Sequence, residues 1–450
     1  MMDPDFKEAL FEKAISAGFS DCEIYYRSGC SFEIRVFQSE VSDYKNASFE
    51  GLAFRGTYHS KMGYAYSEHM SSDMIDRIIE NAAANADIID DSDVGLYREP
   101  GEYPEVQTYY ESLNAISQNQ KMEAAKAMEC AALAYDSRIK SVPHCVIGTS
   151  EDRVVIANTY GLELSHKRNL ALAYVYPQAE ENGKSTLSGE LWYGGRWEDF
   201  SPESLASDAA RRTLSYLNAK SVKSGRYRIL LSNETAIDLF KIYSGVFFAE
   251  NVQKGFSLLK GKVGEAIANP LVTIRDDAVC CQSLGCVPFD AEGIAAKNKA
   301  VVENGMLKTY LYTLKSAAKD NARSTGNGFR NGIHGAVTTA CTNFYISPSE
   351  KTHNDMLIGL GEGLYITELA GLHSGASPVS GDFSLSAKGF LVAGAKMIRP
   401  VEQITIAGNF YQLLKKVDGI GGDLKFGMPG RLGTVGAPSV LVNELEVSGL

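Results

Sequence analysis

The chain has no apolar run approaching the roughly eighteen residues that a membrane-spanning helix requires. It also has no cluster of lysine and arginine. Its formal charge is −11 and its pI about 5.3. No basic surface is therefore offered to phosphates, and nucleic acid is not expected as a direct ligand. The opening residues, MMDPDFKEAL, carry acids where a secretory leader carries bases, and no apolar segment follows them. A cytoplasmic protein with no membrane partner is the expectation. Cysteine is scarce, eight in 450 residues, as suits thiols kept reduced in that compartment. Cys280, Cys281 and Cys286 are neighbours, but C-C-x4-C is not a zinc-knuckle spacing, so buried thiols are expected there.

Recognisable catalytic patterns are missing too. The seven histidines include no pair at i,i+4 or i,i+5, so no zincin-type helix is present. There is no G-x-S-x-G elbow. Ser374 directly follows His373, and on a strand their side chains would take opposite faces. Ser384 stands near Asp382 without a base assigned by sequence. The glycines of Gly419–Gly422 and Gly427–Gly436 do not open a helix after a strand, and Gly261-x-x-Gly264 lacks the rest of a nucleotide-binding pattern. No cofactor is expected.

What is present is a chain long enough for two large domains, with ample apolar content for their cores. Asp5 to Ala17 has helical spacing and stops at Gly18. Strand-like alternation follows from Cys22 to Tyr66, then a helix over Ser71 to Ala86 capped by Ser71 or Ser72. An acidic connector, Asp87 to Glu111, holds Pro100 and Pro104. The order then recurs: a helix over Gln118–Tyr135, strands over 138–148, 152–157, 163–176 and 185–197, and a helix from Ser201 to Leu217. Residues 1–86 and 118–219 thus both read as a helix, about four strands and a helix, a possible duplication within an N-terminal α+β domain of residues 1–222. Helices flanking antiparallel strands suit that order, since βαβ alternation is absent.

Residues 223–450 read as a β-rich second domain, a curled sheet or barrel. A strand at Tyr227–Leu231 leads into a helix capped by Ser232, and Asn304-Gly305 marks a hairpin. Thr352 and Asp355 suit a capping box for a helix over His353–Leu360. The stretch Gly371–Phe390, GLHSGASPVSGDFSLSAKGF, packs four glycines and five serines into twenty residues. Asp382 and Ser384 would share one face of an extended segment and Phe383 the other. Such a segment reads either as a surface loop or as a wall for a peptide or partner subunit. Ala322–Arg330, ARSTGNGFR, reads either as a solvated loop or as an arginine clamp on a carboxylate or peptide backbone.

Several blocks resemble one known family in matching order. They are FRGTYHSKMGYAYSEHM (54–70), VTIRDDAV (272–279), FDAEGIAAKNKAVVENGMLKTYLY (289–312), STGNGFR (324–330), GLYITELAGLHSGASPVSGDFSLSAKGF (363–390) and PSVLVNELEVSG (438–449). On these the chain resembles the TldD/PmbA family over nearly its full length. The resemblance implies an N-terminal α/β domain and a β-rich C-terminal one. It also implies one of two branches. The TldD branch is a zinc peptidase with His-Glu-x-x-x-His on a helix and a later cysteine; the PmbA branch, also called TldE, lacks these and pairs with it. Aligned through KVGEAIANPLVTIRDD, the zinc motif falls on Phe240, Lys241 and Gly245, and Gly421–Ser439 holds no cysteine. Neither phenylalanine nor glycine can ligate zinc.

The expectation is a PmbA/TldE-like, non-catalytic subunit of a heterodimeric zinc peptidase acting on small or unfolded peptides. It would pair with a TldD-type paralogue, or with itself as a homodimer. Arg323, Thr325, Asn327, His373, Ser374, Asp382 and Ser384 are the candidate peptide-cleft or subunit-contact residues. Two other readings stand beside it: a hydrolase using His373, Asp382 and Ser384, and a protein-binding modulator of DNA gyrase, the family's older label.

Overall fold

The computed structural model describes residues 3–89, 95–99, 101–280, 282–430 and 433–450. Pro100 and Cys281, both singled out above, lie outside the described residues. The N-terminal part begins with α1 (Pro4–Ser16), whose first amides are capped by Asp3. Three strands follow, β1 (Phe19–Phe37), β2 (Glu40–Tyr58) and β3 (Lys61–Ser67), and then α2 (Ser72–Ile88). Ser71 occupies the N-cap position of α2 without a side-chain bond to the helix amides. After the short α3 (Glu111–Asn114), α4 (Gln118–Tyr135) starts from a Ser117/Gln120 capping box. Next come β4 (Ile139–Asn158), β5 (Glu163–Glu181), β6 (Lys184–Leu187), β7 (Glu190–Gly194) and α5 (Pro202–Ser215).

All seven strands form one sheet in the order β3-β2-β1-β4-β5-β6, with β7 also on β5. The two halves meet at its centre, where β1 and β4 run antiparallel from Glu23↔Asn158 to Arg35↔Val146. The first half holds three strands rather than about four, and β4 is a single strand where two were expected. The reason lies in burial. Most of β2 from Glu40 to Glu50 is exposed on both faces, and β4 is only half-buried from Thr149 to Val154. No apolar alternation marks a continuous strand in such places.

Helices cover one face of the sheet. Ile24 and Tyr26 of β1 pack beneath α1 and α2, and Ile147 and Ala173 pack beneath α4 and α5. Tyr25, on the opposite face, joins Ile156 and Leu162 in a cluster with Phe289, Ala291 and Ile333 from the C-terminal part. Residues of β1 therefore alternate between the helical layer and the second module.

That module opens with β8 (Gly225–Leu231) and α6 (Asn233–Tyr243), the latter capped by the Ser232 hydroxyl on Thr235 N at 3.2 Å. Beyond a 3₁₀ turn at Ser244–Phe247 come α7 (Ala249–Gln253), β9 (Ile274–Asp277), β10 (Asn298–Glu303) and β11 (Met306–Leu307). Asn304 and Gly305 both have positive φ, 48° and 79°, as the tight hairpin requires. The chain continues through α8 (Leu314–Lys319), β12 (Gly328–Arg330), β13 (Val337–Thr339) and β14 (Asn343–Ile346). Then follow α9 (His353–Leu360), with both bonds of the Thr352/Asp355 box, β15 (Gly363–Ala370), β16 (Asp382–Ala393) and β17 (Lys396–Asn409). The last elements are α10 (Phe410–Lys415), β18 (Val417–Ile420), β19 (Lys425–Phe426), β20 (Thr434–Ala437) and β21 (Val440–Ser448). The six-residue α10 falls where only strands and turns were expected; Asn409 caps it through Tyr411 N and Gln412 N.

Strands β8, β15, β16, β17 and β21 close into a five-stranded barrel, because β17 pairs with β21 as well as with β16. Its lining includes Leu231, Ile366, Leu385 and Ile406, part of the largest apolar cluster of the molecule. A second sheet, β11-β10-β9-β14-β20-β19, lies beside it, and β12 pairs with β13 as a separate ribbon. The fold is α+β, as expected. Among the described residues, no helix is long and apolar enough to cross a membrane.

Candidate functional site: a cavity between sheet and second module

Where the open face of the N-terminal sheet meets the C-terminal module, a cavity of about 450 Å³ remains. Strand alternation supplies one wall: Tyr25 and Arg27 of β1, Asp152 and Val154 of β4, and His166 and Arg168 of β5. Phe289, Asp290, Phe329 and Arg330 supply the facing wall, and Cys341, Thr342, Gly433 and Thr434 close it elsewhere. Gly433 must be glycine. Its φ is +94°, and a Cβ would sit 2.1 Å from the Cys341 carbonyl oxygen.

Register places the charges. Asp152 lies directly opposite Arg168 across β4 and β5, and Arg27 reaches it diagonally from β1. Arg27 Nε donates to Asp152 Oδ1 at 2.7 Å and its Nη2 to Oδ2 at 3.1 Å, while Arg168 Nη2 donates to Oδ2 at 3.0 Å. Two cations therefore share one anion. Burial, helped by Arg168, pushes His166 down to about 4, so this imidazole is neutral near pH 7; its Nε2 lies 3.3 Å from the Thr108 hydroxyl. Arg330 sits with its guanidinium 5.4 Å from the Tyr25 ring centroid and donates from Nη1 to the Gly335 carbonyl at 3.3 Å. Burial and the neighbouring Arg55 both pull its pKa down.

Beneath the facing wall run two buried acid networks. Asp290 accepts from the amides of Glu292, Ile294 and Gly328 at 2.9, 3.0 and 2.8 Å. Burial raises the pKa of both Asp290 and Glu292, and Glu292 is raised further by Asp290, so Glu292 is the member that keeps its proton. Asp276 is 0% exposed and is met by Lys299 Nζ at 3.0 Å, Asn327 Nδ2 at 2.8 Å and Thr342 N at 2.7 Å. That network fixes the backbone of Thr342 against the cavity.

The seven residues picked out from sequence occupy two separate places. Thr325 and Asn327 belong to the Asp276 network: Thr325 Oγ1 donates to Asn327 Oδ1 at 2.7 Å, and Lys299 Nζ donates to the Thr325 carbonyl at 2.9 Å. Arg323 is exposed beside them. His373 and Ser374 lie in an exposed turn ahead of β16, not on a strand. Asp382 and Ser384 are exposed on β16 with Phe383 buried between them, the alternation expected. Asp382 Oδ1 accepts from Asn409 Nδ2 at 2.8 Å, and its carbonyl accepts from the Tyr243 hydroxyl at 2.8 Å. Among the described residues no hydrogen bond joins His373 to Asp382 or Ser384. None of the seven lines the cavity.

Sequence reasoning missed Arg27, Asp152 and Arg168, which only the β1–β4–β5 register assembles. It came nearer with Arg330, the second arginine of ARSTGNGFR. The sequence singles out Arg323, its partner in that stretch, which the fold leaves exposed.

The residues standing where a zinc motif would fall do not suit a metal. Phe240 is 1% exposed, its ring edge-on to Phe410 at 5.4 Å in the core. Gly245 has no side chain to offer, and Lys241 is exposed. Among the described residues there is no group of three or more His, Cys, Asp or Glu able to hold a metal ion.

Models of the three domains of one family match in order: the PmbA/TldA metallopeptidase domain 1 over residues 22–86, the central domain over 111–217 and the C-terminal domain over 224–449. The metalloprotease PmbA of Escherichia coli O157:H7 is 26% identical, the match covering 98% of this chain and 96% of that one. A Thermotoga maritima protein described as a candidate modulator of a DNA gyrase is 32% identical, with TM-score 0.91 and 99% of each chain covered. The fold is shared also with TldE of Thermococcus kodakarensis: TM-score 0.90, 22% identity, and coverage of 99% of this chain and 100% of that one.

Proposed function

The chain belongs to the PmbA/TldD metallopeptidase family, and we propose that within it this protein is the PmbA/TldE-type, non-catalytic subunit of a heterodimeric zinc peptidase acting on small or unfolded peptides. The observation that carries this reading is Phe240. A zinc peptidase needs three protein ligands around a metal that keeps one position open for water. Here the first ligand position is a phenylalanine packed into the core, and the last is a glycine. An exposed lysine in place of the glutamate is a poor base for activating water.

What such a subunit supplies is surface. The exposed turn at His373 and Ser374, and the exposed face of β16 at Asp382 and Ser384, offer polar contacts to a paralogue or to an extended peptide. The cavity walled by Arg27, Arg168 and Arg330 offers cations and aromatic rings to a peptide end.

Metal analysis of the purified chain, with peptidase assays alone and after mixing with a His-Glu-x-x-x-His paralogue, tests this. The expected result is less than stoichiometric zinc, no cleavage alone and cleavage on mixing. One tightly held zinc per chain, or unaided cleavage of an unfolded peptide, would overturn it.

A further inference from the structure

We propose that the cavity between the sheet and the second module is itself a binding site for the carboxylate end of a short peptide, with Arg330 holding the carboxylate. The proposal deepens the peptide-handling reading and rests on it.

Arg330 differs from the other arginines on these walls. Arg27 and Arg168 each have a carboxylate partner, though they share the one carboxylate of Asp152. Arg330 has no carboxylate partner among the described residues; the hydrogen bond it makes goes to the Gly335 carbonyl. Its Nε is buried with nothing to donate to. Of the charges nearest it, Glu23 attracts but makes its ion pair with Arg55 at 2.7 Å, and Arg55 repels; with burial the balance still disfavours the cation. A guanidinium partly taken out of water without an anion carries a desolvation cost. A ligand that brings two coplanar oxygens answers that cost, since they match the guanidinium fork.

The acids around the cavity do not compete for this role. Asp152 is saturated by two arginines, and Asp290 by three backbone amides. Glu151 makes no ion pair with Arg330 among the described residues; its carboxylate accepts from the Tyr109 hydroxyl at 3.5 Å.

The rest of the cavity suits a peptide behind its carboxylate. Thr342 and Thr434 are 2% and 1% exposed, line the same space, and have hydroxyls without a hydrogen-bond partner among the described residues. Buried hydroxyls are ordinarily bonded; these two are closed to water, so a peptide backbone meets them only where the side chains turn toward it. Tyr25, Phe289 and Phe329 give apolar contact for small side chains. A volume of about 450 Å³ falls within the roughly 300–1,000 Å³ of small-molecule sites, enough for a chain end but not for a folded domain.

The test uses the purified full chain, without a paralogue, titrated calorimetrically with alanyl-leucyl-alanine, with its C-terminal amide and with inorganic phosphate. The free acid is expected to bind and the amide to bind roughly tenfold to hundredfold more weakly, the range of one charge-assisted pairing. Arg330→Gln should lower affinity for the acid to that of the amide. Arg330→Lys should fall between, and Arg211→Gln, on an exposed helix face, should change nothing. The comparison of acid and amide on the wild-type chain stands even if a variant fails to fold. Absence of peptide binding, equal binding of acid and amide, or undiminished binding by a folded Arg330→Gln would overturn the proposal. Phosphate binding as tightly as the free acid would overturn the peptide assignment and leave a plain anion site. Zinc in the chain, or no cleavage on mixing with the paralogue, would sink the subunit reading yet leave the difference between acid and amide in place.

Discussion

Arg212 Nη1 stands 2.7 Å from Glu234 Oε2 and 3.0 Å from Glu190 Oε1, so one guanidinium from α5 ties the N-terminal layer to the first turn of α6. Its Nη2 donates to the Thr367 carbonyl on β15 at 2.9 Å, and Lys425 Nζ meets Glu234 from the other side at 2.6 Å. Because Arg212 is largely buried, removing it strands carboxylates in a poorly hydrated joint. Arg212→Met should cost about 3–5 kcal/mol, read as a lowered midpoint in denaturant titration.

The same joint sets an acid limit. Burial pushes the Glu234 carboxyl up, but Arg212 and Lys425 outweigh it and hold its pKa below the ordinary value. A depressed folded pKa gives stability that is present above the unfolded pKa, about 4.3, and lost as pH falls through the folded value. Thermal unfolding of the wild type should therefore steepen its dependence on pH below about 4, and Arg212→Met should flatten it.

Glu292 has the opposite sign. Burial and Asp290 raise its folded pKa, so its contribution is complete below the unfolded pKa of about 4.3 and declines as pH rises toward the folded value. Glu292→Gln keeps an acceptor for the Leu314 amide, now 2.8 Å from Glu292 Oε2, and removes the titration. The variant should come nearest the wild-type melting temperature at about pH 4 and exceed it increasingly toward pH 8. An equal difference at both values would show that Glu292 does not titrate in this way.

Asn327 is wholly buried and bonded to Asp276 Oδ2, the Ala340 carbonyl and the Thr325 hydroxyl. Asn327→Ala leaves Asp276 short of a donor, at a cost of about 3 kcal/mol. Equilibrium unfolding measures it, and a change under 1 kcal/mol would refute the structural role.

Writing the zinc motif into the chain should fail. Phe240→His with Lys241→Glu and Gly245→His puts an imidazole where an aromatic ring fills the core, and the cysteine of the motif is still missing. The expected outcome is no stoichiometric zinc and a loss of about 3 kcal/mol or more. Tight zinc and recovered peptidase activity would contradict it.

Local signals served well where the chemistry is local. Asn304-Gly305, the Thr352/Asp355 box, Ser232 as a cap and the helix Gln118–Tyr135 are each decided by neighbours within a few residues, and all are present. The β-rich sequence with glycine turns points to a curled sheet or barrel, and the barrel is what forms; only its closure, with β17 meeting β21, has no local signal. The cavity was not legible. Arg27, Asp152 and Arg168 come together through pairings between distant strands, and no spacing along the chain announces them. Arg330 lay in a recognised stretch, but nothing in ARSTGNGFR tells which arginine turns inward; that depends on β12 pairing with β13.

The strand pairings also govern the time at which this protein can assume its shape. The central pairing joins Glu23 to Asn158, and within the barrel β8 and β21 join Leu231 to Val440. Contacts so distant in sequence demand large loop closures before they return any stability, and they slow folding. During synthesis β8 emerges long before β21, with its edge hydrogen-bonding groups unsatisfied and open to the wrong neighbour. The nascent chain therefore passes through a long interval in which α6 lacks β15 and β20, the strands it packs against in the folded protein.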